Sequence, residues 1–100
     1  MATVYVAFCD VGVTGKNGSG MLPMTDGERV VSSALTITTS NTQSAAATRN
    51  YVRVGTDTAC FVAIGANPDA TTTTARYWMP ANSVEYFQIE KGNKVAAITA

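Results

Sequence analysis

Residues 78–98 read WMPANSVEYFQIEKGNKVAAI, the densest apolar and aromatic stretch of the chain. Its periodicity is two. In SVEYFQI, Val84, Tyr86 and Gln88 share one face and Glu85, Phe87 and Ile89 the other, as side chains alternate along a strand. Pro80 cannot donate to a sheet ladder, so it ends the strand ARYWM, residues 75–79. Pro80-Ala81-Asn82 then forms a corner, 83–91 a strand, and Gly92-Asn93 a tight hairpin-type turn into a last strand, KVAAIT. Both faces of SVEYFQI bear an aromatic, where a sheet with one wet side shows a cleaner split. The pattern packs Phe87 and Ile89 on a core and shows Tyr86 to a rim or a neighbouring surface.

The same period extends through most of the chain. TVYVAF, residues 3–8, alternates around Val4, Val6 and Phe8 and is rich in residues that favour strands. RVVSSALTITT, residues 29–39, sets Leu35 and Ile37 on one face. YVRVG, from Tyr51, points Val52 and Val54 one way and Tyr51 and Arg53 the other. TACFVAIG, residues 58–65, is apolar on both faces, as a central strand is. Asn67-Pro68-Asp69 is turn chemistry, and Thr71 to Thr74 read as an exposed approach to a strand. Residues 40–50 read as loop; the Ala45–Ala47 run is too short for a helix. Gly12, Gly15, Gly18 and Gly20 argue against a regular element, so 10–28 is expected to be one long flexible loop or arm. The sum is a single all-β domain over 1–100. It is an antiparallel β-sandwich of jelly-roll or Ig-like type, with about seven strands and turn signals roughly every 8 to 15 residues.

Composition narrows the function. Charged residues make up 14% of the chain, against roughly 25% in ordinary soluble domains. Seven cations and seven anions cancel, so little repulsion keeps copies apart, which suits life in an assembly. No two cations are adjacent, so no phosphate-binding stripe forms and nucleic acid is not expected as a partner. No run approaches 18 apolar residues, and the start lacks a basic leader, so neither a membrane span nor a signal peptide is expected and synthesis is placed in a cytoplasm. Cys9 and Cys60 are then expected to be buried small hydrophobes.

Catalytic chemistry has little to build on. The chain has no histidine, which removes the commonest general base and metal ligand and excludes Ser-His-Asp and Cys-His arrangements. Two cysteines 51 residues apart make no zinc site. The carboxylate pairs Asp26/Glu28 and Glu85/Glu90 read as solvated or ion-paired groups. Lys16 follows Gly15, but Asn17 stands directly after it where a phosphate loop needs Ser or Thr, and no helix follows. No enzyme, metal or cofactor is expected. Tyr51, Arg53, Arg76 and Trp78 alternate in two strands; if those strands are neighbours, they make an aromatic-arginine patch suited to an interface or to stacking on sugars. The alternative is an arginine lying over a ring on a strand's outer face.

One further pattern runs through the C-terminal half. CFVAIG at 60–65, NPDAT at 67–71, MPAN at 79–82, EYFQI at 85–89 and GNKVA at 92–96 occur in that order. This layout resembles a segment of small β-sandwich virion proteins of tailed bacteriophages, the head cement, decoration and head-fibre-base type. The N-terminal half carries no motif of that pattern. The resemblance implies a structural virion protein on the capsid surface, made in the host bacterial cytoplasm, which binds the major capsid protein lattice, stabilises the head and associates with further copies of itself. It carries over no catalytic residue. The interface residues expected on this reading are Tyr51, Arg53, Arg76, Trp78 and Tyr86, with Gly15, Lys16 and Gly18 of an arm that orders on contact. A tail- or head-fibre-borne module that holds a host glycan is the alternative.

Overall fold

The computed structural model describes residues 2–9 and 31–100, and the backbone of 11–13 and 23–25. Its strands are β1 (Thr3–Cys9), β2 (Val11–Val13), β3 (Pro23–Thr25), β4 (Val31–Thr36), β5 (Thr42–Gln43), β6 (Tyr51–Thr56), β7 (Cys60–Gly65), β8 (Tyr77–Met79), β9 (Ser83–Gln88) and β10 (Lys94–Thr99). One four-stranded antiparallel sheet runs β4-β1-β6-β9 and a second runs β5-β10-β7-β8. Among the described residues β2 and β3 pair with each other alone. The chain is therefore the expected all-β sandwich.

The strand order selects the jelly-roll alternative. From β4 to β7 the chain changes sheet at every step; β7 and β8 are neighbours, and β9 and β10 change sheet again. A jelly roll closes with a strand inserted between the first and third of that series. Here β1 fills that slot, so the closing strand comes first in the chain. This arrangement needs both chain ends at one corner. Asp57 N–H donates to Thr3 O at 3.2 Å, and Ala100 N–H to Ala59 O at 3.0 Å. Ile37 N–H donates to Ala2 O at 3.0 Å, and Thr99 N–H to Thr38 O at 2.9 Å.

The core lies between the sheets and is built mainly of valine. Val4, Val6, Phe8, Val52 and Val54 of the first sheet meet Cys60, Val62, Met79, Val95 and Ala97 of the second. Branched side chains suit this layer because their χ1 angle is already restricted and little entropy is lost on burial. Phe8 is the one aromatic buried among the described residues. Met79 is almost fully buried and ties the three-residue β8 to the core, whereas its neighbour Trp78 points out of the opposite face and is 59% exposed.

Three local expectations need correction. Gly92 has φ of +91° and Asn93 N–H donates to Glu90 O at 3.0 Å, so the turn chemistry is as expected, yet β9 and β10 lie in different sheets. The turn is a crossover and not a hairpin. The reason is burial: Val95 to Ile98 are all buried, which requires a central strand covered on both sides, while β9 carries exposed Glu85 on an edge. Second, residues 40–50 include the short strand β5, whose Thr42 and Gln43 pair with Ala97 and Ala96. Third, the expected loop over 10–28 contains regular pairing, since Val11 opposes Thr25 and Val13 opposes Pro23. Thr71 to Thr74 are exposed and lead toward β8, as expected, through turns in which Thr72 N–H donates to Asp69 O and Ala75 N–H to Thr72 O.

The loop at 66–76 covers the outer face of the second sheet. Ala70 is completely buried there with Ala63, Ala96 and Ile98. Side-chain amides of Asn41 and Gln43 donate to Pro68 O at 3.0 and 2.9 Å, and Asn41 Oδ1 accepts from Ala70 N–H at 2.9 Å. Arg76 finishes the cover: its guanidinium lies 3.6 Å from the Phe61 ring centre and Nη1 donates to Ala70 O.

The two packing environments of β8 give the first prediction. Met79→Ala should cost about 2–5 kcal/mol because it leaves a cavity between the sheets. Trp78→Ala, though a larger deletion, should cost less than about 1 kcal/mol because its ring is mostly in water. Urea unfolding of the two variants checks the order.

Two corners also respond to acid. The Thr3 backbone N–H, then the Thr58 hydroxyl, hold the Asp57 carboxyl below its ordinary pKa. The Thr71 hydroxyl and then its backbone N–H do the same for Asp69. A carboxylate with a lowered folded pKa contributes stability above the unfolded pKa, near 4, and that contribution disappears as pH falls through the folded value. The denaturation midpoint should fall on acidification below about pH 4. An Asp57→Asn, Asp69→Asn double variant should show a shallower fall over the same range.

Candidate interaction face

Alternate residues of the four strands of the first sheet form its outer face, which is exposed around Tyr5, Val84 and Tyr86 and closed at the Cys9 end, where Cys9 is fully buried and Tyr51 half-buried. The register aligns Ala34, Tyr5, Gly55 and Val84 in one row, and Ser32, Ala7, Arg53 and Tyr86 in the next. Tyr5 is 54% exposed, Val84 44% and Tyr86 57%. Large apolar and aromatic groups side by side on a sheet's outer face are the residue types that anchor interfaces.

Gly55 shapes this face. With no side chain between Tyr5 and Val84, it leaves a groove of about 330 Å³ that extends past Arg53 to Asn82. A Cβ at that position would meet Val84 Cγ2 at 3.6 Å and Ser83 O at 3.9 Å, which is ordinary contact. The glycine thus keeps the groove open without being required by the backbone. A second hollow of about 300 Å³ lies on the other side of Tyr5, bounded by Ala7, Ser32, Ala34 and Arg53. Tyr5 is a ridge between two hollows, and Arg53 borders both.

Several residues expected at an interface are separated by the topology. Tyr51 and Arg53 lie in β6, while Arg76 precedes and Trp78 lies in β8, and those strands belong to different sheets. They do not form one patch. Arg53 instead faces Tyr86 across β6 and β9. Arg76 takes the alternative role, clamped over Phe61. Tyr51 is half-buried opposite Gln88 and Cys9. Trp78 is exposed on the other sheet, opposite Phe61. Gly15, Lys16 and Gly18 lie outside the described residues, as do Asp26 and Glu28. Tyr5 was missed as a site residue, although the alternation that buries Val4 and Val6 already forces it outward.

The remaining chemistry is sparse. Among the described residues no three His, Cys, Asp or Glu side chains gather to hold a metal. Cys9 and Cys60 are both buried; burial pushes the Cys60 thiol above its ordinary pKa, with the Thr56 hydroxyl opposing. Such a thiol is a poor nucleophile. A further open cleft of about 720 Å³ lies where the β8 and β9 edges meet, lined by Ile64, Arg76, Tyr77, Phe87 and Gln88, with the Tyr77 and Phe87 rings 5.1 Å apart. No helix among the described residues is long and apolar enough to cross a membrane. Compared with known proteins, the chain matches no family model, no curated protein and no solved structure.

Proposed function

We propose that this chain is a structural virion protein of a tailed bacteriophage, a cement or decoration protein that binds the major capsid protein lattice. The observation that carries the reading is the outer face of the first sheet, where Tyr5, Val84 and Tyr86 surround Arg53 without cover. The resemblance of residues 60–98 to head proteins and the low, balanced charge support it. The two valine-packed sheets act as a rigid block, so the face binds with little loss of backbone entropy. Preference for the expanded lattice stabilises that lattice by mass action, and many copies on one shell reinforce one another.

A second reading is supported by the β8 edge. Tyr77, 60% exposed, lines the cleft with Arg76, Phe87 and Gln88, a layout suited to stacking on a host glycan. A glycan panel and the copy number per particle separate the two, since a cement is abundant and a receptor binder is not.

Heads depleted of this chain should lose heat resistance and regain it when the purified protein is added back. A Tyr5→Ala, Tyr86→Ala variant should bind such heads at least about thirtyfold more weakly, the effect of removing interface anchors. It should keep its unfolding midpoint, because both rings are exposed. Trp78→Ala should bind normally. Unchanged heat resistance of the depleted heads counts against a cement role.

A further inference from the structure

An open sheet has two edges, and natural proteins blunt them so that copies do not pair side by side. This sandwich has four, formed by β4, β9, β5 and β8. Three are blunted. β5 has two residues and β8 three, and β8 stops at Pro80. β9 is six residues long but carries Glu85 at an inward position opposite Val54, so pairing there would draw a carboxylate toward the core. Among the described residues β4 has none of these devices. Its six residues, VSSALT, include no charge, proline or glycine, and all but Leu35 are exposed.

From this contrast we propose that β4 pairs antiparallel with β4 of a second copy of the chain. The strand is self-complementary under a two-fold axis perpendicular to the sheet. That axis brings Ser33 opposite Ser33 of the other copy, or Ala34 opposite Ala34, so small residues meet at the axis, every facing pair is uncharged and no like charges face each other. The product is a continuous eight-stranded sheet, with the Tyr5 faces of both copies on one side. A single pair of six-residue strands buries little area, so the dimer is weak alone, with a Kd of roughly 10 μM to 1 mM. The inference does not depend on what the Tyr5 face binds.

Sedimentation velocity on the isolated protein, up to about 1 mM, should show a monomer–dimer equilibrium. A Ser33→Lys, Ala34→Lys variant should weaken it by at least about tenfold, because the lysines meet their own copies, with the circular dichroism spectrum and unfolding midpoint retained. Mild oxidation should cross-link Ser33→Cys or Ala34→Cys into a covalent dimer, since cysteines paired across antiparallel strands lie within bridging reach. The native thiols are buried and should not compete. A protein that stays monomeric and cross-links in neither cysteine variant overturns the proposal. So does a dimer that tolerates both lysines, which would place the interface elsewhere.

Discussion

The insertion of β1 between β4 and β6 is the constraint on which the rest of the molecule depends. It is the only strand that joins β4 to the remainder of the first sheet. It also delivers Val4, Val6 and Phe8 to the core in a single run. Without it Val52 and Val54 lose their neighbours Phe8 and Val6 and the first sheet divides in two. Because β1 comes first in the chain yet closes the roll, contacts far apart in sequence must form together. Strand pairing of that kind makes folding slow and the partly folded edges sticky.

Period-two alternation made most of the strands legible, and in β7 and β10 the loss of alternation also carried information. CFVAIG and KVAAIT are apolar on both faces, and each lies between two strands, with one face on the valine core and the other under the 66–76 loop or its surroundings. Alternation says which way a side chain points but not which strand lies beside it. That is why Arg53 and Trp78 looked like neighbours and are not, and why Gly92-Asn93 looked like a hairpin and is a crossover. β5 left no pattern because its two polar residues are held by backbone pairing to β10 and by the Gln43 amide on Pro68.

The placement of aromatics follows from the narrowness of the valine layer. A core filled by Val, Ala and Cys between two short sheets has space for Phe8 and for Met79, which is flexible enough to fill an irregular gap. The other rings are left at edges and outer faces. Tyr77 and Phe87 close on each other where the two sheets part, and Phe61 is capped by Arg76. Tyr5 and Tyr86 have no such partner ring among the described contacts and stand on the bare face. Residues that anchor the core of many sandwiches are here available to a partner.

The two outer faces of the sandwich make the same point from opposite sides. The second sheet bears Phe61, Ala63, Ala96 and Ile98 on its outside, and the chain spends the 66–76 loop, two side-chain amides and an arginine to keep them dry. The first sheet bears Tyr5, Val84 and Tyr86 on its outside, and no comparable segment of the described chain is laid over them. A hydroxyl at the end of each exposed tyrosine lets this face tolerate water while it is unoccupied, which bare Phe and Ile would not. Arg53 adds a charge that favours hydration and can still stack on a ring or pair with a carboxylate. A face that is comfortable both wet and covered suits reversible docking of a partner. The buried outer face of the second sheet, with Ala70 fitted against it, could not serve that purpose without first being unfolded.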